Sequence, residues 1–310
     1  MKKVTVLIPC YNEEASLPIL YEALQKMTSN TSCEWEFLFV NDGSRDNTLQ
    51  VIKDLRKADK RIAYVDLSRN FGKENAMLAG FDYATGDCLV IMDADLQHPP
   101  RVIPQMIRKW EEGFEDVYGK RITRGKESWI RKRLSLLFYA ILKRSVRYDV
   151  LPNVGDFRLL DRKCIDVLKQ MRESERYTKG MYAFIGFKKT FVEFETQDRV
   201  AGQTSWNLWG LLKLAIEGIT SFTTAPLRFS TLLGAIVSLT AFVYMLFVMA
   251  KTFIWGEVVQ GYPTLVILIL FLGGVQLLSL GVIGEYIARI FNESKHRPVY
   301  IVEEYEGDKK

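Results

Sequence analysis

Two aspartates two residues apart, Asp93 and Asp95, with Gln97 two positions further on, follow a short apolar run at Leu89–Met92. Carboxylates at this spacing on a strand end can share one hard divalent cation. Mg²⁺ or Mn²⁺ takes oxygen ligands, typically one or two carboxylates completed by substrate phosphates and water. A cation bridging a diphosphate stabilises the charge on a leaving group. The plainer reading is a solvated aspartate pair capping the next helix. The apolar strand before it, Gln97 and the Pro99-Pro100 break favour the metal. His98, beside those prolines, reads as a structural turn residue rather than a ligand. Three other polar clusters end apolar runs: Tyr11-Asn12-Glu13, Asn41-Asp42-Gly43-Ser44 and Arg69-Asn70. No G-x-G-x-x-G follows the first run and no G-x-x-x-x-G-K-[ST] occurs anywhere, so the usual phosphate cradles are absent. Something else must neutralise any bound diphosphate.

The elements that would carry these clusters alternate. Strands are predicted at Val4–Pro9, Phe37–Val40, Ile62–Leu67 and Leu89–Met92, and helices at Glu14–Met27, Thr48–Lys57, Asn75–Ala84 and Val102–Trp110. Short continuous apolar strands between amphipathic helices argue for an α/β fold with a mostly parallel, Rossmann-like sheet. Ligands in such sheets bind beyond the carboxyl ends of the strands. All four polar clusters fall there.

At 310 residues the chain has room for one α/β domain of about 200 residues plus further elements. A net charge of +5 decides nothing by itself. The four cysteines form no C-x-x-C pair and read as free thiols in a reducing compartment. Met-Lys-Lys leads directly into Val4–Pro9, too short a stretch for a signal peptide, so the first domain is expected in the cytosol.

Long uncharged runs lie after Pro226. No charge occurs between Arg228 and Lys251, nor between Glu257 and Glu285. Each run exceeds the roughly 18 apolar residues that mark a spanning helix. The link from Trp255 to Pro263 has no Lys or Arg, whereas Arg228, Arg289, Lys295 and Arg297 flank the pair. The positive-inside rule then predicts both flanks in the cytoplasm and the link outside. Upstream, residues 120–147 hold ten Lys or Arg and one acid, Glu127, interleaved with apolar residues including Trp129, Leu134 and Phe138. This reads as a basic amphipathic helix lying on an anionic bilayer. Nucleic acid would use a similar patch, but the spans make lipid the better partner. A second amphipathic stretch, Leu208–Ile219, leads into the first span.

Four segments together carry a family resemblance: Val-Thr-Val-Leu-Ile-Pro-Cys-Tyr-Asn-Glu-Glu (4–14), Val-Asn-Asp-Gly-Ser (40–44), Arg-Asn-Phe-Gly-Lys (69–73) and Asp-Ala-Asp-Leu-Gln-His-Pro-Pro (93–100). The chain resembles family 2 glycosyltransferases of the GT-A fold. Within them it is similar to the polyprenyl-phosphate glycosyltransferases, such as dolichol-phosphate mannosyltransferase and the two-span bacterial bactoprenol glucosyltransferases. The resemblance implies that Pro9, Tyr11, Glu13, Val40 and Asp42 line a nucleoside pocket, with Glu13 and Asp42 bonding base or ribose. It implies that Asp93, Asp95 and Gln97 hold the metal, and that Arg121 and Arg133 meet phosphate. Arg199 lies in Arg-Val-Ala-Gly-Gln-Thr-Ser-Trp (199–206), which matches a segment usually reading Arg-x-x-Gly-x-Ser/Thr-Lys. Ser205 stands where that lysine is expected. Asp156 matches an aspartate suggested as base in the bacterial subgroup. A phosphate monoester is already ionised near neutral pH, which weights positioning above proton abstraction. Asp156, Asp95 and Arg133 are the expected catalytic set.

The expected activity is inverting transfer of a sugar from a nucleotide-sugar donor to polyprenyl (undecaprenyl) phosphate. By the same resemblance the first choice of donor is UDP-glucose, with N-acetylglucosamine and galactose donors open. The alternatives are a processive polysaccharide synthase, whose Gln-x-x-Arg-Trp motif is missing here, and a non-catalytic membrane scaffold. The expected layout is a GT-A domain over 1–225 with interface helices near 128–147 and 207–222, a two-helix transmembrane region over 226–288, and a cytoplasmic tail over 289–310. Nucleic acid is not an expected partner. Gly273, Gly274, Gly281 and Gly284 permit close helix packing and hence a homo-oligomer.

Overall fold

The computed structural model describes residues 1–29, 33–122, 154–174, 176–195, 225–255 and 261–308. The chain divides into two compact units, Met1–Leu211 with Pro298–Lys310, and Leu212–Arg297.

The first unit is built on an eight-stranded sheet. Its first half alternates β1 (Lys3–Cys10), α1 (Leu17–Thr28), β2 (Glu34–Asn41), α2 (Thr48–Ala58), β3 (Ile62–Leu67), α3 (Lys73–Tyr83), β4 (Cys88–Ile91) and α4 (Ile103–Glu111). The four strands pair in parallel in the order β4-β1-β2-β3, as their continuous apolar runs predict. Val4, Val6, Leu7 and Ile8 are all fully buried, because helices cover both sheet faces. The helices match their predicted positions with shifted ends. α1 starts at Leu17 instead of Glu14, since Glu13 and Glu14 are held in a turn and Pro18 favours the first helical turn. A short 3₁₀ turn at Pro100–Val102 precedes α4.

Beyond β4 the sheet becomes mixed. β5 (Asp116–Arg121), β6 (Val154–Asp161) and β7 (Lys189–Phe194) extend it in the order β7-β5-β6-β4. β6 runs antiparallel to both β4 and β5, and β5 pairs with β7 in parallel. Helices α5 (Arg162–Leu168) and α6 (Thr178–Phe184) pack beside β6. At the other edge, β8 (Val302–Glu306) pairs antiparallel with β3. From sequence, residues 289–310 read as a tail; in the structure part of that segment completes the eight-stranded sheet. It is fixed there by Tyr64 Oη donating to Glu304 (2.6 Å), the Lys53–Glu304 ion pair (2.5 Å) and the Arg56–Glu306 pair (3.2 Å).

The second unit contains two long helices that pack on each other, α7 (Ala225–Trp255) and α8 (Tyr262–Ser294). At 1.5 Å per residue each is longer than the ~30 Å hydrocarbon core of a bilayer. Among the described residues, Phe271–Ser294 is long and apolar enough to cross a membrane, and Phe229–Tyr244 is a shorter apolar stretch. Leu232, Leu239, Phe247, Leu277, Leu280 and Ile290 are all exposed on these helices. A surface so apolar is what lipid, not water, would cover. The predicted interface helices near 128–147 and 207–222 lie outside the described residues.

Candidate active site

The strand order reverses between β1 and β4: α1 carries the chain from β1 to β2, while α3 brings it back across to β4. The crevice beyond the carboxyl ends of these two strands is the natural ligand position in such a sheet. The loop after β1 is laced to the loop after β2. Asp42 N donates to Cys10 O (2.8 Å), Arg45 N to Asn12 Oδ1 (2.8 Å), Asn12 N to Ser44 Oγ (3.0 Å) and Glu13 N to Thr48 Oγ1 (2.8 Å). Asn12 takes the left-handed conformation, which asparagine tolerates.

Pro9 and Val40 are register partners on β1 and β2. Val40 is fully buried and supports the loops from below, while Tyr11 is exposed above it. The Glu13 carboxylate accepts a hydrogen bond from Ser16 Oγ (2.5 Å), so it helps to begin α1. Asp42 is buried and accepts from the N–H groups of Phe71 (2.7 Å) and Gly72 (3.0 Å). Burial raises its pKa, against the pull of those two N–H groups and of Arg69. Asp42 therefore clamps the turn that starts α3. Gly43 sits against the same turn with φ of 62°; a Cβ there would collide with the backbone of Arg69 and Asn70.

That turn delivers Lys73, the last residue of the Arg-Asn-Phe-Gly-Lys segment (69–73), to which the resemblance assigns no role. Its ammonium lies 2.5 Å from Asp93 Oδ1 and 3.1 Å from Asp156 Oδ2. The antiparallel register of β4 and β6 accounts for the meeting. Ile91 pairs with Arg158, so the residues just past β4 run alongside the start of β6. Burial opposes charge on Lys73, but the two carboxylates outweigh it and raise its pKa. Burial pushes the Asp156 carboxyl up, yet Lys73, Lys179 and Arg158 together bring it below the usual carboxylate range. Glu74 is raised to about 7 by burial and by the charge on Asp156, against the Thr178 N–H (3.0 Å), Lys73 and Arg176. Beneath this cluster Arg158 pairs with Asp116 at 2.9 Å, both buried, and its guanidinium lies 3.6 Å from the centre of the Tyr182 ring.

Asp95 accepts from the backbone N–H of Gln97 (3.1 Å), a tight turn in which Leu96 has a φ of 61°. His98 is buried, stacks on Phe157 with ring centres 4.8 Å apart, and has its pKa lowered by burial. That is the structural role its sequence context suggests. Arg121 ends β5 on the exposed side. Arg133 and Arg199 lie outside the described residues.

Among the described residues no three His, Cys, Asp or Glu side chains gather into a metal cage. The chemistry of the donor set still fits a divalent ion shared with a substrate. Asp93 and Asp95 supply the one or two carboxylates such ions take, and substrate phosphate supplies the remainder. Asp93 is 28% exposed and already attracts a cation, Lys73. The site thus brings together Asp93 and Asp156 on the Lys73 ammonium, the Asp95 turn just beyond Asp93, and the two interlaced loops. Lys73, Glu74, Arg176 and Lys179 were not singled out from sequence. Only Lys73 left a signal there, as the last residue of the Arg-Asn-Phe-Gly-Lys segment (69–73).

Residues 5–168 match the family described as Glycosyl transferase family 2, and residues 225–290 match the GtrB C-terminal hairpin. A glycosyltransferase of Synechocystis described as uncharacterized is 44% identical over 98% of this chain and 96% of its own. A prophage bactoprenol glucosyl transferase homolog of Escherichia coli is 41% identical over 97% of this chain and 98% of its own. The bactoprenol glucosyl transferase of Shigella phage SfV is 40% identical over the same shares. Among solved structures, glucosyl-3-phosphoglycerate synthase of Mycobacterium tuberculosis with Mn²⁺, UDP-glucose and phosphoglyceric acid aligns at a TM-score of 0.48 and 17% identity, covering 71% of this chain and 78% of that one.

Proposed function

Because the chain belongs to the family 2 glycosyltransferases, with a GT-A-like sheet and the GtrB C-terminal hairpin, we propose that it transfers glucose from UDP-glucose to undecaprenyl phosphate at the cytoplasmic face of a membrane. The observation that carries this reading is the full-length likeness, near 40% identity, to bactoprenol glucosyl transferases. The acceptor chemistry agrees with the molecule: a lipid substrate suits a catalytic domain joined to an apolar helical hairpin.

The reaction is a single displacement. A phosphate oxygen of the lipid attacks the anomeric carbon, the bond from that carbon to the nucleoside diphosphate breaks, and the configuration inverts. Asp93, Asp95 and Gln97 would hold a Mg²⁺ or Mn²⁺ ion, which when bound neutralises charge on the departing diphosphate. Pro9, Tyr11, Glu13, Val40 and Asp42 would form the nucleoside side, with Arg121, Arg133 and Arg199 toward phosphate. Asp156 stays ionised beside Lys73. Since the attacking phosphate needs no deprotonation, Asp156 serves to fix Lys73 and the acceptor rather than to take a proton.

The membrane arrangement has its own support. β8 belongs to the same sheet as β1–β7 although α7 and α8 intervene. If those helices cross a bilayer they must do so an even number of times, in agreement with two spans and with the Lys/Arg flanks. The test is incubation of the purified chain with labelled UDP-glucose and undecaprenyl phosphate. One lipid-linked monosaccharide is expected. A polymer would indicate a processive synthase, and no product from any of a panel of nucleotide-sugars would refute the activity.

A further inference from the structure

We propose that Lys73 is a displaceable internal cation that holds Asp93 and Asp156 together until a divalent ion takes Asp93 from it. This rests on the metal reading of Asp93 given above. The ammonium touches one carboxylate from each of two neighbouring strands, Asp93 after β4 (2.5 Å) and Asp156 on β6 (3.1 Å). Without it, like charges would face each other across the gap with Glu74 close behind. The Lys73 side chain is 42% exposed, so its flexible four-carbon stem has room to swing. Asp156 is the less accessible partner, at 14% exposure against 28% for Asp93, so an incoming ion meets Asp93 first.

Exchange at Asp93 breaks one ion pair and forms another, with no covalent change. The freed ammonium remains on Asp156, where a phosphate acceptor brings negative charge. Lys73 is thus a positioning residue linking occupancy of the donor side to readiness of the acceptor side. A divalent ion arriving alone must first break the Lys73–Asp93 pair, which weakens its binding.

Mn²⁺ binding to the full chain in detergent, followed by electron paramagnetic resonance, tests this without turnover. Lys73→Met and Lys73→Gln are compared with the unmodified chain, with and without UDP, and Asp93→Asn serves as the metal-site control. A partly exposed pair of this kind leads to an expected gain of about fivefold in Mn²⁺ affinity without UDP for both Lys73 variants. Loss of binding in Asp93→Asn would confirm that the ion sits there. Equal or weaker Mn²⁺ binding by both folded Lys73 variants, where the unmodified chain does bind, overturns the role of Lys73 and leaves the metal reading standing. Failure of the unmodified chain to bind Mn²⁺ even with saturating UDP overturns the metal reading and this inference together.

Discussion

Replacing Glu74 with glutamine should stabilise the protein at pH 8 and do much less at pH 5. Glu74 is held at about 7 instead of its ordinary 4.5. A carboxyl whose folded pKa is raised binds more protons in the folded than in the unfolded chain between those two values. Stability therefore falls as pH rises from 4.5 toward 7 and is flat above. The full shift is worth about 3.4 kcal/mol at 1.36 kcal/mol per pH unit, and most of it develops between pH 5 and pH 8. Glu74 keeps partial contact with solvent, which reduces the expected effect to about 1–2 kcal/mol. For a domain of this size that is roughly 2–8 °C in Tm. Glutamine still offers an oxygen to the Thr178 N–H, now 3.0 Å from Glu74, so the change isolates the charge. Tryptophan-fluorescence melts of the detergent-solubilised chain at pH 5 and pH 8 read it directly. Parallel pH profiles for the two proteins would refute the account of Glu74 as a carboxyl raised by burial and by the charge on Asp156.

Asp95→Ala should abolish sugar transfer while the melting profile stays normal; near-normal turnover would remove the acidic tip from the chemistry. Gly43→Ala should weaken UDP binding about tenfold in calorimetry, because a side chain at a φ of 62° drives the second loop against Arg69 and Asn70. Unchanged affinity would mean that the two loops are not coupled. Arg158→Met leaves Asp116 buried and unpaired, a loss of about 3–5 kcal/mol that should appear as a Tm drop of roughly 6–20 °C. Burial raises the Asp116 pKa, so the drop should shrink as pH falls and Asp116 protonates; a deficit that stays constant with pH would contradict this. Removing residues 298–310 should lower Tm and promote aggregation, measured by light scattering, because the edge of β3 is left open.

The parallel half of the sheet was legible because each of its strands is a continuous apolar run bounded by a polar turn. Val4–Pro9 and Ile62–Leu67 need no partner to be recognised. β5, β6 and β7 were not foreseen. Asp116-Val-Tyr-Gly-Lys-Arg and Lys189-Thr-Phe-Val-Glu-Phe carry charges within them, and only pairing with neighbours makes them strands. β8 was hidden for a related reason. Val302–Glu306 is mostly acidic, and what holds it are Lys53, Arg56 and Tyr64, some 240–251 residues away. Among the candidate site residues, Asp93 and Asp95 stand out by type and position, whereas Asp156 is reached only through the family resemblance. Lys73 does not stand out, since its meaning comes from the register of β4 against β6, which a linear reading does not contain. The same holds for Glu74, whose shift comes from burial in the folded domain and then from a carboxylate contributed by a strand far along the chain.

The place of β8 after the apolar hairpin also sets an order of events at the ribosome. A chain is made from its amino end, and domains tend to fold as they emerge. Here the sheet has to wait: its last strand is synthesised only after both long helices. Until then β3 offers an unpaired edge, the feature through which sheets mispair. On the proposed two-span arrangement, insertion of the hairpin into a bilayer would bring the late segment back to the side where the sheet is waiting. On that arrangement a molecule whose hairpin stalls in the translocation machinery would remain unfinished as an enzyme, and maturation of the catalytic sheet would be tied to membrane insertion.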